Sequence, residues 1–211
     1  MTLADEIANR FKNFRTFTFG DVRIGLRSGH MRISDKTIQV TISRMAKKRK
    51  IYTITKGVFS FEKRDELVGF AFAPFYYGGL AALMIRDMID DQVKMEIMTT
   101  RRIKRSVMEV YNGSSRVVLH HIPRKYYFGF EDLRYGGITV PVSDPEKTLI
   151  DLCYYHVGLT IQNYSGLLMV VNRRKLGEYL KRYDKRTAAS VLKFIKKYKS
   201  VADSGKLENP Y

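Results

Sequence analysis

Residues Ser34 to Phe61, SDKTIQVTISRMAKKRKIYTITKGVFSF, change periodicity midway, and few folds accept that order. Ser34 has the form of a helix N-cap, and Ile38, Ile42 and Met45 fall within about 60 degrees of one another on a helical wheel. Lys47, Lys48, Arg49 and Lys50 follow as a run of cations. Ile51 to Thr55 and Val58 to Phe61 then read as strands joined by a two-residue Lys56-Gly57 loop. Gly57 supplies the positive φ of that turn, and the loop length sets Ile54 opposite Phe59 and Tyr52 opposite Phe61.

Upstream, Leu3, Ile7 and Phe11 recur at i, i+4 and i+8, a helix that ends near Asn13 because Arg15-Thr16-Phe17 loses the period. Thr18 and Asp21 have capping-box spacing ahead of Val22 and Leu26, a short second helix broken at Ser28-Gly29. Three helices and a hairpin in this order make a winged helix-turn-helix over residues 1–64, with the third helix placed to enter a major groove. Its outward face carries Lys36, Gln39, Val40, Ser43, Arg44 and Lys47. These are mostly donors of the kind that read base edges and phosphates, with a small Val40 able to meet a thymine methyl. Lys47, Lys48 and Arg49 suit the helix dipole and reach flanking phosphates, and Lys56 on the wing reaches the adjacent backbone. An ordinary solvated helix end is the competing reading of the same cations.

Charge divides along the chain. Residues 1–64 hold 15 Lys/Arg against 5 Asp/Glu, net +10; residues 65–172 hold 11 against 12, net −1; residues 173–199 hold 11 against 2, net +9. A neutral middle between two basic ends implies two positive patches with separate jobs. The single cysteine, Cys153, sits in the helical-looking run LIDLCYY and reads as a buried reduced thiol. No apolar run has the length of a membrane span, and the N-terminus lacks the pattern of a secretion signal, so no membrane partner and a cytoplasmic location are expected.

Past the charged stretch Glu62–Glu66, read as a linker, residues 68–211 read as an α+β domain with a mixed or antiparallel sheet. Tyr76 to Met88 is expected as a helix, and Val93 to Thr99, Val107 to Val110, Val117 to Ile122 and Ile138 to Val142 as strands, with a turn at Asn112-Gly113-Ser114. In SDPEKTLIDLCYY, Ser143 and Glu146 have capping-box spacing, and Leu149, Leu152 and Cys153 supply an inward face. Two terminal helices are stitched to the core by Leu176, Leu180, Val191, Leu192 and Ile195. Arg182, Lys193, Lys196 and Lys197 lie outside as a second basic patch, fit for nucleic acid or an acidic protein.

Catalytic patterns are weak. Gly113-Ser114 resembles a nucleotidyltransferase turn, but no acidic pair follows at the spacing a metal-phosphate site needs. Asp87, Asp90, Asp91 and Glu96 with Lys94 could form a nuclease-like cluster, although helix-end acids explain the aspartates more simply. His120-His121 sits in a strand, where neighbours point to opposite faces. No catalytic residue, metal site or cofactor is expected.

Four segments in order, a winged helix ending in KGVFSF, then APFYYGGLAAL, VPVSDPEKTLIDLCYY and RKLGEYLKRYDKRTAASVLKFIKK, make the chain resemble the AbiEi-like antitoxins of type IV (abortive infection) toxin-antitoxin systems. The resemblance implies a transcriptional autorepressor whose winged helix binds repeats in its own promoter; inverted repeats and a homodimer on the DNA are the geometry expected here. The resemblance also implies a C-terminal domain that opposes a nucleotidyltransferase-like toxin, whether or not the two touch. Two other classes stay open on the residues alone: a free-standing winged-helix regulator with a ligand-sensing or dimerising C-terminal domain, and a nucleic-acid-processing enzyme.

Overall fold

The computed structural model describes residues 1–89, 93–104, 107–109, 116–156 and 161–203. It is an α+β protein in two compact units, Met1–Ala73 with Val107–Val117, and Pro74–Ser106 with Val118–Tyr211.

In the first unit, α1 (Leu3–Phe11), α2 (Phe19–Ser28) and α3 (Asp35–Lys47) start where their capping residues lie. Thr18 and Asp21 make the full reciprocal box, and the Ser34 hydroxyl accepts from the Thr37 N–H at 3.1 Å. Each such cap contributes about 1 kcal/mol. Ile7, Phe11, Val22, Leu26, Ile38, Ile42 and Met45 converge in one core.

Three strands complete this unit in the order β1 (Phe17–Thr18), β3 (Val58–Ser60), β2 (Tyr52–Thr55), all antiparallel. β1 lies where the sequence suggests only a break in helical period. Phe17 stacks on Phe61 at 5.4 Å between ring centroids and lies 6.0 Å from Phe59, so β1 fastens the wing to the helices. The hairpin register departs from expectation by one residue. Thr55 pairs with Val58, but Thr53 pairs with Phe59 and Tyr52 with Ser60, leaving Ile54 as an unpaired bulge residue. The bulge lets Ile54 and Thr55 both be buried, which strict alternation forbids. The second half of the expected linker is also structured: Asp65–Phe72 is a 3-10 helix with Leu67, Val68 and Ala71 buried.

β6 (Val107–Glu109) falls within the residues of the first unit, and the second unit's sheet runs β7 (Arg116–His121), β5 (Met95–Thr99), β4 (Phe75–Tyr77), β9 (Ile138–Ser143), β8 (Phe130–Tyr135). It is mixed, because β4 runs parallel to β9 while β4–β5 and β8–β9 are antiparallel. The expected helix from Tyr76 is therefore corrected: Phe75–Tyr77 is a central strand, and α4 is confined to Gly79–Ile85. Both tyrosines are fully buried, so the segment carries no one-sided period to read. β5 is likewise buried along its whole length. The edge strand β8 escapes the sequence reading although Gly136-Gly137 marks its turn. The turn expected at Asn112-Gly113-Ser114 lies outside the described residues.

Helices α5 (Pro145–Tyr154), α6 (Ile161–Val170), α7 (Arg173–Leu180) and α8 (Lys185–Asp203) share a core of Leu149, Leu152, Leu167, Leu176, Leu180 and Val191. The cap of α5 is Asp144, whose carboxylate accepts from the Lys147 N–H at 2.8 Å. Ser143, the expected cap, is the last residue of β9, and its hydroxyl bonds that of Thr148 at 2.7 Å. Leu192, expected inward, is 57% exposed, since it lies about 100 degrees round the helix from the buried Val191. Among the described residues no helix is long and apolar enough to cross a membrane.

Candidate nucleic-acid interface

Helix α3 presents two faces. Ile38, Ile42 and Met45 hold one against the core, which forces Lys36, Gln39, Val40, Ser43, Arg44 and Lys47 outward, and all six are exposed. Gln39, Val40, Ser43, Arg44 and Lys47 line a single open depression along the helix. Lys48 caps the helix, Arg49 follows, and Lys56 stands exposed at the tip of the wing.

Ion pairing is uneven over the unit. Arg10 pairs with Glu6, Arg64 with Glu62, and Arg23 and Arg27 with Asp35 at 3.6 and 3.5 Å. Among the described residues Lys36, Arg44, Lys47, Lys48, Arg49 and Lys56 have no acidic partner. Lys12, Arg15, Arg32, Lys50 and Lys63 also form no salt bridge among the described residues. Six unneutralised cations on one helix, its C-terminal end and the following hairpin raise the local positive potential. The Asp35 bridges, exposed and worth under about 1 kcal/mol each, tie the start of α3 to α2.

A further group went unread in the sequence. Arg27, His30, Arg32 and Ser34 line an open depression at the turn that leads into α3. His30 takes a left-handed φ of 59 and closes the end of α2, its N–H donating to the Arg27 carbonyl at 3.0 Å. Arg32 is exposed, two residues before the α3 cap. The signal was the basic spacing of Arg27, His30 and Arg32 inside the break between two helices.

The second basic patch is less uniform. Arg182, in the turn before α8, lies over the Phe128 ring at 4.3 Å. Lys193, Lys196 and Lys197 are exposed along α8 itself. Lys193 stands eight residues into that helix, about 12 Å along its axis from the start.

Two buried carboxylates of the second unit, Glu96 of the nuclease-like cluster and Asp151, have structural partners. Glu96 is buried and accepts from the Leu80 N–H at 2.9 Å, at the start of α4. Asp151 is held by Lys147 and by the Tyr76 hydroxyl, the latter at 2.8 Å. Among the described residues no three of His, Cys, Asp and Glu come together as metal ligands; Asp90 and Asp91 lie outside those residues.

The fold is shared with a solved structure. The crystal structure of the RV2827C protein from Mycobacterium tuberculosis matches with a TM-score of 0.60, over 90% of this chain and 75% of that one. At 14% identity the likeness is one of fold. No family profile and no curated protein matches the chain.

Proposed function

We propose that this chain is a DNA-binding transcriptional autorepressor and the antitoxin of a type IV pair, opposing a nucleotidyltransferase-like toxin and acting by binding rather than by catalysis. Its DNA partner is its own promoter, read as inverted repeats by a homodimer. One observation carries the DNA reading: six cations on the outward face of α3, at its C-terminal end and on the wing are exposed and lack acidic partners among the described residues, whereas Arg10, Arg23, Arg27 and Arg64 are paired. The order of helices and hairpin supports it, because that order delivers the exposed face of α3 to a major groove.

The antitoxin reading rests on the motifs. APFYYGGLAAL supplies β4 and most of α4, and VPVSDPEKTLIDLCYY supplies the end of β9 and α5. These segments meet through the Tyr76 to Asp151 hydrogen bond and hold the centre of the second unit.

The test has two arms. The full chain should bind a promoter fragment more tightly than scrambled duplex, with log K falling against log salt by about 0.9 per phosphate, near −4.5 for five contacts per protomer. Co-expression with the product of the adjacent gene should restore growth that this product alone arrests. Promoter binding without rescue would favour a free-standing regulator; a salt-independent affinity would remove the electrostatic basis of the DNA reading.

A further inference from the structure

β8 ends the sheet of the second unit, with β9 as its strand neighbour. It pairs with β9 along its length, from Phe130 with Ser143 to Tyr135 with Ile138. The loop between them is Gly136-Gly137, whose φ values of 55 and 82 make a type I′ hairpin. In a two-residue hairpin the residues beside the loop exchange both backbone hydrogen bonds, and the pairs alternate from there. Tyr135, Leu133 and Glu131 thus direct their N–H and C=O groups to β9. Arg134, Asp132 and Phe130 direct theirs to the outer edge.

Asp132 and Arg134 are exposed, project from one face of β8, and form no ion pair among the described residues. A charged edge commonly guards against strand addition, and a single sign would guard best. β8 carries opposite signs at i and i+2 instead. Antiparallel pairing sets residues of one face opposite each other. A second β8 laid along the edge with a two-fold axis at Leu133 therefore puts Asp132 against the partner's Arg134, and Arg134 against the partner's Asp132. Both ion pairs fall on residues whose backbone groups already face outward. The neighbouring register, centred on Asp132, sets that carboxylate against the partner's Asp132 and Arg134 against the partner's Phe130, so charge selects Leu133 as the centre.

We propose that β8 is a self-association surface through which two copies of this chain join their sheets antiparallel about a two-fold axis at Leu133. The pairing draws on no DNA contact and is tested without DNA, so its failure leaves the DNA reading untouched.

Sedimentation of the full chain should show a concentration-dependent dimer. Asp132→Arg or Arg134→Asp alone places like charges at both contacts and should lower the association constant about ten-fold or more. Mixing these two variants in equal amounts should restore association as a heterodimer, because each cation then meets an acid across the axis. Leu133→Cys should form a disulfide-linked dimer under mild oxidation, since facing residues of a non-hydrogen-bonded pair lie about 4.5 Å apart at Cα. The parent, with only its largely buried Cys153, should not. Circular dichroism matching the parent confirms that the exposed variants are folded. A parent that stays monomeric to about 100 µM, single reversals that leave association unchanged, or a mixture that fails to restore it would each overturn the proposal.

Discussion

Arg49 stands in the left-handed region at φ 53, and its N–H donates to the Ala46 carbonyl at 3.0 Å. The Lys50 N–H donates to the Met45 carbonyl at 2.9 Å, which completes a Schellman closure of α3 at a position that favours glycine. A side chain there costs about 1 kcal/mol, so this position gives up stability and gains a cation beside the outward face. Arg49→Gly should raise the unfolding free energy by about 1 kcal/mol in urea titrations. The same variant should bind duplex DNA more weakly, its salt slope shallower by about 0.9. Unchanged affinity would make Arg49 an ordinary solvated helix end.

Within the outward face of α3, specificity and affinity should separate. Gln39→Ala and Arg44→Ala should reduce preference for the operator by about 1 to 3 kcal/mol if either makes a bidentate base contact. Charge reversal at Lys47 and Lys48 should weaken operator and random duplex alike. Fluorescence anisotropy on both duplexes distinguishes the two; equal losses for Arg44→Ala on each would remove it from base reading.

Lys147 is fully buried, bonded to Asp151 one turn along α5, with its ammonium 5.4 to 5.7 Å from the ring centroids of Tyr76, Phe128 and Tyr183. Burial pushes the Asp151 carboxyl up, and Lys147 and the Tyr76 hydroxyl oppose that shift. Lys147→Met leaves the carboxylate buried without its cation and should cost about 3 to 5 kcal/mol. An acid whose pKa is raised by folding binds more protons in the native state, so stability falls as pH rises through the folded value. The variant should therefore be less destabilised in acid than at neutral pH. The double change Lys147→Met with Asp151→Leu should recover much of the loss.

Burial pushes the Cys153 thiol up to about 12 from an ordinary 9.0. At neutral pH the native thiolate is scarce, and labelling by a thiol reagent should track unfolding rather than run at the rate of a free cysteine. The stability that the neutral thiol confers is complete below about pH 9 and is lost as pH climbs toward the folded value. Cys153→Ala should flatten that alkaline decline in thermal unfolding; an identical decline in the variant would assign it to the tyrosines.

Most of the first unit was legible because its signals are local. Thr18, Asp21 and Ser34 announce helix starts within three residues of the groups they cap, and Ile38, Ile42 and Met45 define a buried stripe that fixes which residues of α3 face outward. β1 was not legible: two residues, Phe17 and Thr18, become a strand only because β3 lies alongside. The bulge at Ile54 follows from the space available to Ile54 and Thr55 in the interior, which no alternation rule contains.

The sequence by itself determined the order of the three helices and the wing hairpin, the outward residues of α3, the wing turn at Gly57 and the partition of charge, since each depends on neighbours a few positions away. Tertiary structure alone decided that Tyr76 and Tyr77 lie in a central strand, that Asp144 rather than Ser143 caps α5, and that Lys147 is buried beside Asp151. It also decided which cations of the first unit are neutralised and which are left free to act. These outcomes depend on segments far apart in the chain: a strand covered on both faces shows no period, and a buried charge is tolerated only where distant residues supply its partners.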